Sequence, residues 1–370
     1  MNRVMDEDER LMKKALHLAQ NGRGSVSPNP LVGAVITRKG KIVGRGYHQK
    51  AGLPHAEVNA IRQAGAKTQG ATLYLNLEPC CHSEKRTPPC TEAILKSGIK
   101  KVVVAMKDPN PKVNGKGISF LRNHGVLVCE GVLKTEAEVL NEIFLKFITT
   151  RLPFVALKIA ATLDGKLATA AGKSRWITGE KARMYGHRLR NQYDAVLVGK
   201  GTVAADDPEL TVRLSLLSKR NPIRIVVDET LSVSPDSKVF NLQGEDRAIV
   251  ATTRRAEIVK KKEFEKRGVK ILQIEEKEEG VSLLALMTVL GQMENTSVLI
   301  EGGSRINASA IDEKVVDKVY YMVAPKLMGG ENSISAVGGR SPADLSALTV
   351  LKKVKIKKLE NDILIEGYLN

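Results

Sequence analysis

Aromatic side chains are scarce in this 370-residue chain: 4% of the residues, with a single tryptophan. That leaves few rings for the base-stacking platforms of a nucleic-acid binder. The formal net charge of +17 therefore reads as a solvated basic surface whose field favours phosphorylated small substrates. The lysines are spread out, with short clusters at residues 260–262 and 352–358 and no basic arm. No apolar run approaches ~20 residues, so no membrane-spanning helix is expected. The first ten residues are acidic and polar and lack the apolar stretch of a secretion signal. There are only four cysteines, and three of them fall within eleven positions, a clustering that fits a disulfide framework poorly. That spacing suits metal ligation in a reducing compartment, and the cytoplasm is the expected location. With 42% hydrophobic and 27% charged residues, the chain is long enough for two domains, each with its own core.

One stretch organises the rest. His55-Ala56-Glu57 is followed by Glu78-Pro79-Cys80 and, ten residues beyond Cys80, by Cys90. One histidine and two thiolates form the ligand set of a catalytic zinc whose fourth position stays open. Two thiolates cancel the metal's charge, so a water there sits on a site that is neutral overall yet still acidified. Glu57 is poorly placed as a fourth ligand and well placed to carry protons between that water and a leaving amine. His-x-Glu with a downstream Pro-Cys is the signature of zinc deaminases acting on nucleobases, although there the second cysteine closes a Cys-x-x-Cys. Cys81 is an alternative ligand that the sequence alone does not separate from Cys80. Buried thiols or a structural zinc would be the blander explanation. Against it stands the order of the pieces: a helix opening at His55, a strand ending at Glu78, a helix opening near Cys90.

The surrounding pattern is that of an α/β domain. Helices are expected at residues 6–21, 55–64, 115–125 and 136–149, and strands at 31–36, 42–44, 71–77, 101–106 and 126–129, the last holding Cys129 as a core thiol. Arg151-Leu152-Pro153 breaks the pattern and separates domains 1–150 and 151–370. Asn29, between two prolines, is either a reader of a heterocycle edge or a turn former. His48 is either a substrate contact or polar surface, and a cationic loop at residues 82–89 would pass over the metal. Asp108 and Asn110 follow a strand end, where ligand sites gather in open α/β sheets.

Pro28-Asn29-Pro30, His55-Ala56-Glu57, Glu78-Pro79-Cys80, Thr87-Pro88-Pro89-Cys90 and Asp108-Pro109-Asn110-Pro111 together resemble one family. They look like the deaminase half of the bifunctional riboflavin-biosynthesis deaminase–reductases, with its cytidine-deaminase-like α/β/α fold. A long loop before the second cysteine is typical of that branch. The resemblance implies that His55, Cys80 and Cys90 bind Zn2+ and that Glu57 moves protons. It also implies that Asn29, His48, His82, Lys85, Asp108 and Asn110 hold a pyrimidine and its ribose phosphate.

In the second half, the apolar strand at residues 154–161 is interrupted by Lys158. Such a lysine needs a partner or a ligand unless it lies at a strand edge with its head in water. A strand at 194–198 leads into Gly199-Lys200-Gly201-Thr202, which lacks the third glycine of a dinucleotide fingerprint because Ala204 stands there. Asp206-Asp207-Pro208 and Leu210-Thr211-Val212-Arg213 are expected in a loop. Strands at 223–227, 248–251, 269–274 and 298–300 alternate with helices, which gives an α/β domain with a largely parallel sheet. Glu301-Gly302-Gly303-Ser304 opens a helix where the backbone can approach a dinucleotide phosphate. Antiparallel strands at 318–323, 351–356 and 362–368 are expected to finish the fold, and residues 329–343 to form a mobile loop.

Leu157-Lys158, Leu163-Asp164-Gly165, Trp176-Ile177-Thr178, residues 201–208, residues 210–213 and Glu301-Gly302-Gly303 resemble the reductase domain of the same family. That domain has a dihydrofolate-reductase-like α/β fold and uses NADPH. The resemblance implies an NADPH site lined by Ala160, Trp176, Thr202, Asp206, Gly303, Ser304, Arg305, Ile306, Asn307, Ala308 and Ser309. It implies a substrate site lined by Ser174, Arg190, Leu210, Arg213 and Glu301, with Lys158 as an essential polar group near the ribose being reduced. The implied enzyme deaminates 2,5-diamino-6-(5-phosphoribosylamino)pyrimidin-4-one and then reduces its ribosyl group to ribityl phosphate. Its expected partner is that phosphorylated pyrimidine, with no nucleic acid and no membrane, and its expected state is a homo-oligomer. A deaminase of tRNA bases would explain the zinc site and the charge but leaves the second half without a task. A zinc-stabilised binding module would need a metal closed to solvent.

Overall fold

The computed structural model describes residues 6–81, 88–215, 220–277 and 280–369. The chain divides into two units, Met1–Arg151 and Leu152–Asn370.

The first unit runs α1 (Glu7–Ala19), β1 (Gly33–Arg38), β2 (Lys41–Tyr47), α2 (Ala56–Ala64), β3 (Thr72–Leu75), α3 (Cys90–Lys96), β4 (Lys101–Val104), α4 (Lys116–Asn123), β5 (Leu127–Glu130), α5 (Lys134–Leu140) and α6 (Glu142–Thr150). Asp6 caps α1 by accepting the Glu9 N–H at 2.7 Å, and three acids fill its first turn. The sheet order is β2-β1-β3-β4-β5, with β1 antiparallel to both neighbours and the last three strands parallel. Strand alternation sends Ile36, Leu73, Leu75, Val102 and Val104 towards Ala60, Ile94, Ile118 and Leu121 of α2, α3 and α4. Val35, Tyr74 and Val103 face Leu11, Met12 and Ala15 of α1 and Ala137 of α5 on the other side. The result is an α/β/α sandwich in which each fully buried Leu or Ile contributes about 1.5–3 kcal/mol. α2 can lie directly on β2 because Gly46 has no side chain there: a Cβ would sit 2.3 Å from the Ala56 carbonyl oxygen. The helix expected at 136–149 is two helices broken at Asn141. Its side chain instead accepts the Leu31 N–H at 2.8 Å and donates to the Leu31 carbonyl at 3.1 Å, fixing the entry to β1.

The second unit runs β6 (Phe154–Thr162), β7 (Lys166–Ala168), α7 (Glu180–Gln192), β8 (Ala195–Gly199), α8 (Lys200–Asp206), β9 (Ile223–Val227), β10 (Ala248–Thr252), α9 (Ile258–Lys266), β11 (Lys270–Gln273), β12 (Glu276–Lys277), β13 (Gly280–Val281), α10 (Leu283–Gln292) and β14 (Ser297–Ile300). It ends with α11 (Ser304–Asp312), β15 (Lys318–Ala324), β16 (Ile334–Ser335), β17 (Lys352–Leu359) and β18 (Asp362–Tyr368). Its main sheet has the order β11-β10-β9-β8-β14-β6-β15-β18-β17. β15, expected among antiparallel strands, is parallel to β6 on one side and antiparallel to β18 on the other. Leu157, Leu197, Ile225 and Val298 pack against Leu286 and Leu290 of α10, while Val196, Val226 and Val250 pack with Phe240 and Phe264 on the opposite face. The glycine turn expected at residues 199–202 opens straight into the helix α8, which starts directly after β8, and the expected loop follows it. The glycine- and serine-rich segment at 329–343 is pinned rather than loose. The Asp164 carboxylate accepts the Met328 and Gly329 N–H groups, β16 pairs with β7, and Asn307 donates to the Ala336 carbonyl at 2.7 Å. Among the described residues no helix is long and apolar enough to cross a membrane.

Candidate active sites

In the first unit, His55 is the residue before α2, Cys80 follows the carboxyl end of β3, and Cys90 opens α3. The fold brings these three ligand atoms within 4.8 Å of one another. His55 Nδ1 lies 3.1 Å from Cys90 Sγ and 3.7 Å from Cys80 Sγ. A tetrahedral zinc with Zn–S of about 2.3 Å and Zn–N of about 2.0 Å separates its donors by roughly 3.5–3.8 Å, so the donor set fits that metal in type and span. The Cys90 N–H points at Cys80 Sγ at 3.4 Å, which favours the thiolate. Cys81 is outside the group; burial first, then the charges of Glu78 and Cys80, push its thiol pKa up. Glu57, in the first turn of α2, is 3% exposed, and its Oε2 has no hydrogen-bond partner. Burial raises its carboxyl pKa and the Cys80 charge adds to that, against the pull of His55.

His48 is not on the surface. It is 3% exposed, its Nε2 lies 3.1 Å from Asn29 Nδ2, and its ring meets the His55 ring edge-on at 5.2 Å. Asp108 is buried and accepts the Asn110 N–H at 2.9 Å, so those two residues form one turn. His82 and Lys85 lie outside the described residues. Sequence reasoning gave no role to Asn76, which is fully buried and bonds the Gly33 N–H and the Leu31 carbonyl, each at 2.8 Å. A buried asparagine at a strand end was the signal available.

In the second unit, Lys158 has its partner. Its Nζ donates to Glu301 Oε2 at 3.4 Å, and Arg190 of α7 holds both Glu301 oxygens. Burial, the largest single influence, works to raise the Glu301 pKa, but the charges and hydrogen bonds of Arg190 and Lys158 lower it to about 2. Arg190 also donates to the Thr211 carbonyl at 3.2 Å, which places the Arg213 stretch beside it. His187, one turn before Arg190, was missed: it contacts the same carbonyl and Arg213 Nε. Ser174 donates to Asp206 at 2.7 Å, uniting one expected substrate contact with one expected cofactor contact. Thr202 Oγ1 lies 3.2 Å from where a Gly303 Cβ would be, so the two glycine-bearing turns face each other at the carboxyl ends of β8 and β14. That backbone cradle fits a dinucleotide phosphate. Ala160 shares a strand face with Lys158.

The remaining expected contacts divide between interior and surface. Leu210 is packed in the core beside Val203 and Val226, so its side chain belongs to the interior rather than to the polar group. Asn307 and Ala308 are buried, because a helix buries one face, while half-buried Ile306 packs on Gly199 and Gly302 of the two turns; Gly303, Ser304 and Arg305 form the amino end of α11. Ser309 lies with Asp312 and Arg340 along another cavity. Trp176 is 63% exposed, with the Arg183 guanidinium 4.6 Å over its ring.

Residues 5–106 match the cytidine and deoxycytidylate deaminase zinc-binding region, and residues 153–365 match the RibD C-terminal domain. The riboflavin biosynthesis protein RibD of Aquifex aeolicus is 46% identical over 98% of both chains. The chain belongs to the RibD family. Two solved RibD-type structures superpose on nearly all of it. Acinetobacter baumannii RibD has a TM-score of 0.88 at 37% identity, covering 98% of this chain and 99% of that one. A diaminohydroxyphosphoribosylaminopyrimidine deaminase/5-amino-6-(5-phosphoribosylamino)uracil reductase from Thermotoga maritima has a TM-score of 0.86 at 39% identity, with the same coverage. Both expected fold units of a RibD protein are thus present, a zinc-binding deaminase unit and a reductase unit that uses NADPH. The reductase match gives the second half the task that a tRNA-base deaminase leaves open.

Proposed function

We propose that the two sites act in succession on one substrate, with residues 1–150 as the deaminase domain and 151–370 as the reductase domain. The chain is a bifunctional enzyme of riboflavin biosynthesis. It deaminates 2,5-diamino-6-(5-phosphoribosylamino)pyrimidin-4-one and then reduces the ribosyl group to ribityl phosphate. Bound zinc supplies a Lewis acid that acidifies water, and bound NADPH supplies the reducing equivalents. The observation that carries the reading is the His55, Cys80 and Cys90 triad beside a buried Glu57 whose Oε2 has no partner.

His55, Cys80 and Cys90 hold the metal. Glu57 takes a proton from the attacking water and returns it to the departing amine, so a C–O bond forms, the C–N bond breaks and ammonia leaves. Asn29 and His48, joined to the His55 ring, read the pyrimidine, and Asp108 and Asn110, with His82 and Lys85, hold the ribose phosphate side. In the reductase, Ala160, Trp176, Thr202, Asp206 and the start of α11 at Gly303, Ser304 and Arg305 receive NADPH. Ser174, Arg190, Arg213 and Glu301 receive the substrate, and Lys158 contacts the ribose. Four free cysteines, two of them in the metal triad, suit the reducing cytoplasm. A homo-oligomer is supported by β17, exposed along most of its length, where Val354 and Ile356 are 49% and 72% exposed beside Ile363 at 43%.

The test is a single assay on zinc-loaded protein with the phosphoribosylated diaminopyrimidinone, following ammonia release and NADPH oxidation together. Ammonia followed by equal NADPH loss is the expected result. No ammonia would overturn the deaminase reading, and ammonia without NADPH loss would overturn the reductase assignments.

A further inference from the structure

We propose that Glu78 is a positioning residue for the deamination: its buried carboxylate bolts the Asp108–Asn110 turn to the strand end that carries Cys80. The side chain is 3% exposed and accepts N–H groups from both ends of one loop. Oε2 takes the N–H of Asp108 at 3.2 Å and of Gly115 at 2.9 Å; Oε1 takes the N–H of Gly117 at 2.9 Å and of Ile118 at 3.1 Å. A carboxylate has about four lone-pair sites, and all of them are used here by backbone. The Glu78 N–H in turn donates to the Met106 carbonyl at 3.0 Å, extending the β3–β4 register to this point. Gly117 completes the joint from the other side, since a Cβ there would lie 2.2 Å from the Pro79 carbonyl oxygen.

The consequence is geometric. Cys80 is two residues beyond Glu78, and the turn that starts at Asp108 hangs from the same carboxylate. The distance from metal to substrate-holding turn is therefore set by one side chain that is neither a metal ligand nor a substrate contact. Glutamine in its place keeps the shape but puts an NH2 group against two N–H donors whichever way it is turned. The loop must then move away, while His55, Cys80 and Cys90, supported by other elements, keep the metal.

The proposal rests on Asp108 and Asn110 contacting the substrate, so Asp108→Ala is measured beside Glu78→Gln in the full-length, zinc-loaded protein. Glu78→Gln is expected to keep its zinc and its reductase rate. Hydrogen exchange should speed up at the amides of 108, 115, 117 and 118, and the deaminase KM should rise about tenfold to a hundredfold with a smaller fall in kcat. Glu78→Asp, which retains the charge, should recover part of that KM. Wild-type protection and KM in Glu78→Gln, or zinc loss that parallels the rise in KM, would overturn the proposal. A raised KM in Asp108→Ala with a wild-type KM in Glu78→Gln would mean the clamp is wrong; an unchanged KM in Asp108→Ala would mean the substrate reading of the turn has failed. Should Glu78→Gln not fold, Gly117→Ala opens the same joint: a raised KM with zinc retained supports the clamp, and a wild-type KM overturns it.

Discussion

Arg190 grips Glu301 with two roughly parallel hydrogen bonds, Nε to Oε1 at 2.5 Å and Nη2 to Oε2 at 3.0 Å. Lys158 adds a third contact, and the side chains of Lys158, Arg190 and Glu301 are only 20%, 14% and 7% exposed. Two cations around one carboxylate leave a net positive charge in a largely desolvated place. In the substrate site proposed above, that surplus would favour a phosphorylated substrate and any negative charge that develops on it. The bidentate geometry also explains why an arginine stands there, since lysine cannot hold both oxygens in one plane.

The same group sets an acid limit on the reductase unit. Glu301 is lowered from 4.5 to about 2, so the unfolded chain takes up this proton first as the pH falls. Its stabilising contribution is complete above about 4.5 and is lost as the pH drops towards 2. Glu301→Gln is therefore expected to melt well below the parent at pH 6, with the gap closing steadily between pH 4.5 and 2, where a protonated glutamate resembles glutamine. A gap that stays constant over that range would show that the residue is not held ionised.

Lys158→Ala leaves the Arg190–Glu301 pair intact, so the unit should fold. NADPH oxidation is expected to fall by about a hundredfold or more, the scale seen when one preorganised charge is removed from a reacting centre. Ammonia release should be unchanged. Loss of both activities would point to a folding defect or a wrong assignment.

Glu57→Gln preserves the volume and burial of the first turn of α2 and removes the basic oxygen. Zinc content should stay at the parental value while ammonia release drops by about 10²–10⁴, the range for a general acid–base group. Full deaminase turnover in this variant would refute the proton-carrying role.

Much of this was legible in the chain, and the reasons for the rest are physical. The metal triad could be read because ligand chemistry depends on residue type and coarse order, not on fine geometry. Cys80 and Cys81 could not be separated, since only the direction of the chain after β3 decides which sulfur meets His55. His48 and Lys158 carried two readings each, and burial removes the solvent-facing one in both: one is packed against Asn29, the other paired with Glu301. Leu210 sits at φ 55° with its side chain in the core, a conformation that sequence pattern does not announce. Residues 329–343 look loose by composition, but their order comes from Asp164 and Asn307, more than twenty residues away in the chain. Nor does a strand pattern reveal that β15 would lie parallel to β6, because pairing direction is a property of the whole sheet.

Gly46 connects the fold to the metal. Its absent side chain lets β2 touch α2 at Ala56, the residue between His55 and Glu57; a Cβ would lie 2.3 Å from the Ala56 oxygen and 2.6 Å from the Ala60 nitrogen. Both neighbours are helix backbone and cannot swing aside, so Gly46→Ala must push the first turn of α2 outward. Overpacking of this kind costs about 1–3 kcal/mol, and here the displaced turn carries His55 and the proposed proton carrier Glu57. The expected result is weaker zinc retention against a chelator and slower ammonia release, with NADPH oxidation of the deaminated substrate unchanged. Wild-type zinc retention together with a lowered melting temperature would mean that the helix relaxes without moving His55, and that the glycine serves packing alone.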